Sequence, residues 1–166
     1  SDTNRVWLGL TWEATSKITG TIKGGYTYRD YDGDTDDFDG FGMKGDLTYK
    51  LTSYTNIGLN GFRKPVDTSV TQEDAVYGTY YVSTGGTLSV DHRLTHKITA
   101  NAHVLYINDD YQEKGTAGKR RDDDRYGLGV GVNYQIQDWL GCNVSYNYVD
   151  NDSNFDNEDY RNNIVA

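Results

Sequence analysis

The residues of this sequence that could take part in catalysis are three histidines and nearby serines. His92 and His96 flank a predicted tight turn, and His103 falls on the polar side of a predicted strand. Ser89 and Ser145 occupy polar positions of other strands. A hydrolytic site needs a nucleophile, a base and a third group that orients the base. Because no spacing in the chain fixes such a set, we predict no catalytic residues and no enzymatic activity.

Two acidic runs contain enough oxygen ligands to suggest calcium binding, and they start at Asp30 and Asp150. An EF-hand loop needs glycine at its sixth position and glutamate at its twelfth. The sixth position of the first run is Thr35, and the twelfth of the second is Arg161. We therefore predict solvated acidic loops and no cofactor. Calcium is the less favoured alternative for the first run, where its ligands would be Asp30, Asp32, Asp34 and Asp36.

The composition excludes several classes of protein. A net charge of −9 disfavours nucleic acid as a partner, because phosphates need a basic surface. The single cysteine, Cys142, falls on the apolar side of its strand and excludes an intrachain disulfide or a multi-cysteine metal site. The 15 tyrosines, 19 glycines and single proline suit a sheet with one apolar and one wet face better than they suit disorder. The sequence shows neither a signal peptide nor an apolar run long enough for a transmembrane helix.

Period-two alternation organises almost the whole chain into strands. Leu128 and Val130, for example, alternate with Gly129. The pattern predicts eight long strands and a ninth that begins near Tyr160, and it predicts that the fourth strand ends at Pro65. We therefore predict an all-β fold, an antiparallel up-and-down meander.

The strands are joined alternately by short turns and by longer loops. Segments that contain a strand end, a tight polar turn and a new strand recur about every 40 residues, starting at Leu10, Leu47, Leu88 and Val132. Between them we predict polar loops at roughly 30–39, 64–78, 109–124 and 150–159. Bacterial outer-membrane barrels have short periplasmic turns and longer outer loops. The asymmetry therefore favours a transmembrane β-barrel.

Aromatic residues concentrate at the ends of the apolar stripes, as they do at the lipid interfaces of barrels. The predicted interface aromatics are Trp12, Tyr26, Tyr28, Tyr49, Tyr106, Tyr126, Tyr134, Tyr146 and Tyr148. A soluble barrel or sandwich would explain the alternation equally well, but it explains the aromatic ends, the strand length and the loop asymmetry less well. We therefore expect outer-membrane lipid to be a partner of the chain.

The opposite, polar stripe would face the inside of the barrel. The predicted lumen-facing residues are Lys23, Arg29, Lys44, Asp46, Lys50, Asn60, Asp91, Asn101, His103, Arg125, Asn133, Gln135 and Asn143. Their mixed charges and amides suit hydrated, weakly selective passage. They could instead satisfy one another and fill the lumen, and the sequence leaves that choice open.

The strand count predicts that the sequence is part of a larger barrel. Bacterial barrels have an even number of strands, whereas this chain has an odd number and a first strand that would start outside the cell. We expect residues 1–166 to form a single β-barrel domain, the C-terminal portion of a larger barrel. Open sheet edges favour pairing with another chain, so a homo-oligomer is a further expectation.

Three stretches of the sequence carry a pattern of their own. They are the stretch from Asp138 to Asn154 that reads DWLGCNVSYNYVDNDSN, with DYRNN following from Asp159, the stretch RDDDRY from Arg121, and the stretch VWLGLTW from Val6. These stretches resemble one family of outer-membrane proteins, the "putative beta-barrel porin 2" family. The resemblance implies a passive outer-membrane conduit whose context is exopolysaccharide export.

Together these observations predict a porin-like barrel in the outer membrane of a Gram-negative bacterium. It would give a passive, hydrated path to polysaccharide or small hydrophilic solutes. Two alternatives stay open. One is a structural or adhesive outer-membrane barrel that does not conduct, and the other is a soluble β-barrel binding module.

Overall fold

The computed structural model describes residues 2–30, 38–67, 80–112, 118–155 and 158–165. Nine antiparallel strands form one sheet, and their order in the sheet is their order in the chain. The strands are β1 (Asp2–Thr15), β2 (Ile18–Asp30), β3 (Phe38–Lys50), β4 (Thr55–Asp67), β5 (Tyr80–Arg93), β6 (Ile98–Tyr111), β7 (Asp122–Gln137), β8 (Leu140–Ser153) and β9 (Tyr160–Val165). The predicted all-β meander is confirmed. In the described ranges, no helix is long and apolar enough to cross a membrane.

A threonine hydroxyl organises each of the first three short turns. Thr15 Oγ1 accepts hydrogen bonds from the backbone N–H groups of Lys17 and Ile18, at 3.2 and 3.1 Å. Thr95 repeats this arrangement in the β5–β6 turn, at 3.2 and 3.0 Å. Thr52 accepts one such bond in the β3–β4 turn. Because a hydroxyl can hold a turn in this way, threonine recurs at these points of the repeat.

The pairing register shifts steadily along the sheet. One row of paired residues starts at Ile18, the first residue of β2, and reaches Tyr146 in the middle of β8. Between them the row passes through Tyr49, Ile57, Val90, Ala102 and Val130. Closing a sheet into a barrel requires tilted strands and therefore a stagger of this kind. Among the described residues, β1 and β9 each pair on one side only, so the sheet is open.

The prediction that the fourth strand ends at Pro65 is wrong, because β4 continues to Asp67. The β3–β4 ladder extends only to Arg63, and beyond that point β4 pairs with β5 alone. Proline is tolerated where a strand has a free edge. Pro65 lies on such a local edge, which explains why the strand does not stop there.

The predicted loop over 109–124 is also too long, because β6 runs to Tyr111 and β7 starts at Asp122. Acidic residues disfavour strands, but partners on the neighbouring strand compensate here. Asn108 Nδ2 donates a hydrogen bond to Asp122 Oδ1 at 2.7 Å across the strand pair. Cross-strand side-chain bonds of this kind extend the sheet into the acidic segment.

Candidate functional site

The sheet has an apolar face and a polar face. The apolar face carries alternate residues such as Leu8 and Leu10 of β1, which are 79% and 63% exposed. The polar face carries the residues between them. On that face Asp123 and Gly129 are buried, although no second layer covers them in the described part of the chain. The polar face is therefore the more enclosed one, which is the reverse of a water-soluble fold.

The structure places the predicted lumen-facing residues on the polar face. Those with described side chains are Lys23, Lys44, Asp46, Lys50, Asn60, Asp91, Asn101, His103, Arg125, Asn133, Gln135 and Asn143. Arg29 belongs to β2, but its side chain is outside the described part. Amides bridge neighbouring strands: Asn60 Nδ2 donates to Asp46 Oδ1, and Asn143 Nδ2 donates to Asn133 Oδ1, both at 2.7 Å.

Polar side chains form a compact group on this face near the longer loops, which we call the loop-end cluster. Its members are Asp109, Arg121, Asp123, Arg125 and Asn151. Arg121 binds Asp123 in a bidentate pair, with Nη2 2.6 Å from Oδ2 and Nε 2.9 Å from Oδ1. Arg125 Nη2 lies 3.2 Å from Asp109 Oδ2. The Arg125–Asp109 pair thus joins the loop ends of β7 and β6, whereas the Arg121–Asp123 pair lies at the start of β7 itself.

Most of the loop-end cluster is buried. Asp109, Asp123 and Asn151 are 6%, 3% and 2% exposed. Among the described residues, Asp109 Oδ1, Arg125 Nε and Asn151 Oδ1 have no hydrogen-bond partner. Unpartnered buried polar atoms lower stability. The bonds that the cluster does make must therefore offset that cost.

Arg121 is held by further groups besides Asp123. Its Nη1 lies 3.0 Å from Glu158 Oε2, and its guanidinium lies 5.2 Å from the ring centroid of Tyr111. Tyr111 in turn stacks on Tyr81 with the ring centroids 4.9 Å apart. Burial lowers the pKa of Arg121, but the hydrogen bond and charge of Asp123 raise it more, so the net shift is upward. Arg121 therefore stays charged at any working pH.

The predicted interface aromatics lie on the apolar face. Toward the short turns lie Trp12, Tyr49 and Tyr134, and toward the loops lie Tyr26, Tyr28, Tyr106, Tyr126 and Tyr148. Tyr146 lies mid-strand, between the two groups. The Tyr106 hydroxyl donates to Asp124 Oδ1 at 2.6 Å, so that ring has one apolar and one polar end. Contact of these rings with lipid stays a prediction.

The structure gives no catalytic arrangement to the serine–histidine pair on β5 and β6. Ser89 pairs with His103 across the two strands. Its hydroxyl donates to the carbonyl oxygen of Gly58 at 3.5 Å and not to the imidazole. The imidazole itself lies over Gly129. In the described ranges these two side chains therefore do not form a nucleophile–base pair.

The calcium candidates fall outside what the structure describes. Asp32, Asp34 and Asp36 are not described, and of Asp30 only the backbone is. Within the rest of the described chain, no group of three or more His, Cys, Asp or Glu residues could hold a metal ion. Calcium binding by the first acidic run stays a prediction.

Sequence reasoning missed two features of the polar face. The loop-end cluster falls largely in segments that the sequence predicts as loops, so the strand alternation was not extended to Asp109 or Asp123. The other feature is Trp7, an aromatic residue at a polar-face position of β1. Its indole lies across the sheet over Gly25 and Gly42. An aromatic residue out of step with the alternation was the available signal.

Replacing Gly25 with alanine should destabilise the fold by about 1–3 kcal/mol, the usual cost of overpacking. A Cβ at Gly25 would overlap the Trp7 indole and stand 2.6 Å from the carbonyl oxygen of Val6. Urea unfolding of the refolded protein measures the change. The matched control is Gly45→Ala, where the nearest atom is the Thr21 carbonyl oxygen at 4.0 Å. Equal midpoints for the two variants would contradict this packing.

A comparison with protein-family models finds that residues 1–166 match the model described as "Putative beta-barrel porin 2". A search of curated proteins finds no match. The family match spans all nine described strands and both faces of the sheet.

Proposed function

The chain belongs to the "Putative beta-barrel porin 2" family. We propose that it forms part of the wall of an outer-membrane channel, which provides a passive, hydrated path and has no enzymatic role. One observation carries the proposal: the apolar side chains are exposed on one face, while the polar side chains occupy the more enclosed face. In a barrel this arrangement puts lipid outside and water inside.

The apolar face supports contact with lipid. Exposed aliphatic side chains such as Leu88, Val104 and Val130 lie between the two aromatic groups. Monomeric soluble proteins rarely expose apolar patches of more than a few hundred Å². An aliphatic belt between aromatic girdles is the pattern that lipid-facing barrel walls have. We therefore assign this face to the hydrocarbon core of the membrane.

The polar face supports a water-filled interior. Lys44 Nζ lies 3.7 Å from Asp46 Oδ2, and the two side chains of this ion pair are 53% and 48% exposed. A dry packed interior would reject such exposed charges. Mixed charges and amides would give a weakly selective, hydrated path. The buried loop-end cluster would narrow that path on its loop side.

We further propose that the solute that passes through the channel is exopolysaccharide, and this part of the proposal rests on the family resemblance. In a strain that secretes polysaccharide, deletion of the gene should lower secreted polymer and leave polymer inside the outer membrane. A deletion strain with unchanged secretion would remove this cargo while leaving the channel proposal intact.

Conductance of the full-length protein in planar bilayers tests the channel. We expect stepwise ohmic currents from protein that shows heat-modifiable migration on gels and fractionates with the outer membrane. Protein that inserts and folds but never conducts would refute the channel and favour the structural or adhesive barrel. Protein that stays in the soluble fraction would favour the soluble binding module.

A further inference from the structure

Trp7 presents an open aromatic surface on the polar face. It is 44% exposed. The underside of its indole is fixed by two glycines, since a Cβ at Gly42 would stand 3.0 Å from Trp7 Cη2 and one at Gly25 would overlap the ring. The indole therefore crosses β2 and reaches β3. One side of the ring lies on backbone, and the other side remains available for stacking.

Two lysines lie beside this ring on the same face. Lys23 precedes Gly25 by two residues on β2, and Lys44 follows Gly42 by two residues on β3. Each is therefore about 7 Å along its strand from the glycine that supports the indole. Lys23 and Lys44 are also direct cross-strand partners. The two ammonium groups thus belong to one row next to Trp7.

Like charges directly opposite each other destabilise a sheet. The positive charges of Lys23 and Lys44 are such a pair, and neighbouring carboxylates neutralise them poorly. Among the described residues, Lys44 pairs with one carboxylate, that of Asp46 at 3.7 Å, and Asp46 already accepts a hydrogen bond from Asn60. The Lys23 side chain makes no hydrogen bond or ion pair with any described residue, and its stem lies over Gly9. In a chain of net charge −9, this row is a local excess of positive charge.

The neighbouring strand, β4, adds a further aromatic ring and a further lysine to this face. Phe62 on β4 is the cross-strand partner of Lys44, and Lys64 Nζ lies 5.6 Å from the centroid of its ring. Aromatic rings and ammonium groups therefore alternate over the polar face of β1–β4. The loop-end cluster differs, because there each arginine already contacts at least one carboxylate.

We propose that Trp7, Lys23 and Lys44 form a binding subsite for an anionic sugar, a pyranose ring that carries a carboxylate. The apolar side of the ring would stack on the indole, and the carboxylate would lie between the two ammonium groups. Few polar groups around an aromatic surface suffice to orient a ligand. The subsite rests on the proposed function because that function places the polar face in water along the solute path.

Equilibrium binding tests the subsite without requiring conduction. The full-length protein, folded in detergent and with every tryptophan other than Trp7 replaced by phenylalanine, is titrated with sodium glucuronate while Trp7 emission is followed. Glucose at the same ionic strength is the neutral control. We expect a saturable change with glucuronate and none with glucose.

Lysine variants locate the binding. Lys23→Gln and Lys44→Gln should each weaken glucuronate binding about threefold, the size expected for exposed charge pairs, and the double variant should weaken it about tenfold. Lys50→Gln is the matched control, since it removes a lysine from the same face of β3 farther along the strand. No saturable change, an equal response to glucose, or an equal loss with Lys50→Gln would overturn the subsite.

Conductance of the same preparations separates this proposal from the channel itself. Protein that conducts but does not bind glucuronate at Trp7 refutes the subsite alone. Protein that binds glucuronate but does not conduct refutes the channel and supports the subsite.

Discussion

Replacing Asp123 with alanine is expected to lower the free energy of unfolding by about 3 kcal/mol, because it removes the two-point partner of a buried cation. Asp123 accepts a bidentate pair from Arg121 and a hydrogen bond from Ser153 Oγ at 2.5 Å. Arg121 is only 12% exposed in its side chain and keeps its charge. Its remaining carboxylate contact, with Glu158, does not replace a two-point pair.

Urea unfolding in lipid vesicles, followed by tryptophan emission, measures this loss. Asp152→Ala is the matched control, because Asp152 lies near the same loops, is exposed, and has a side chain that makes no hydrogen bond or ion pair with a described residue. Its free energy of unfolding should change by less than about 0.5 kcal/mol. If the two alanine variants unfold at the same urea concentration, the loop-end cluster does not stabilise the sheet.

An arginine at Leu10, near the middle of β1, is expected to destabilise the membrane-inserted protein by about 2–4 kcal/mol. Leu10 is on the apolar face and is 63% exposed. If water covered that face, a change at so exposed a site would cost less than about 0.5 kcal/mol. If lipid covers it, the charge must be drawn out of the hydrocarbon.

Thr11→Arg is the control for this variant, because Thr11 is the next residue and lies on the polar face. Its hydroxyl is 3.1 Å from that of Thr21, an exposed contact whose loss is small. We expect vesicle-inserted Thr11→Arg protein to unfold close to the wild-type midpoint. Equal effects of the two arginines would contradict the assignment of the faces.

The meander could be predicted from the sequence because side-chain alternation has the same period as the strand. Most of the long strands show it clearly, and a slip of one residue would exchange the faces. The recurring tight polar turns added a second signal, and the structure shows that Thr15 and Thr95 hold two of these turns by the same hydroxyl bonds. Local chemistry and period therefore agreed over most of the chain.

The strand ends near the loops could not be predicted, because there the sheet depends on partners from other strands. Propensity disfavours aspartate in strands, and nothing local shows that Asp123 meets Ser153 or that Asp122 meets Asn108. Pro65 belongs to the same class. Its tolerance in β4 depends on where the β3 ladder stops, which is a property of the register.

The polar face was predicted residue by residue, but its groupings were not. The alternation of side chains within each strand is enough to put Lys23 and Lys44 on the polar face. It does not show that they are direct partners, or that Trp7 lies over glycines of two neighbouring strands, because both facts require the register. The groupings on the polar face that sequence reasoning missed therefore depend on interactions between strands that are distant in sequence.

Nitroxide accessibility along β8 tests the central claim most directly, that lipid covers the apolar face and water covers the polar face. Spin labels are placed singly from position 142 to 147 in vesicle-inserted protein, and their collisions with oxygen and with a water-soluble nickel chelate are compared. We predict oxygen-dominated collisions at Cys142, Val144 and Tyr146, and nickel-dominated collisions at Asn143, Ser145 and Asn147. Equal access of nickel to both sets, or the opposite alternation, would contradict the account.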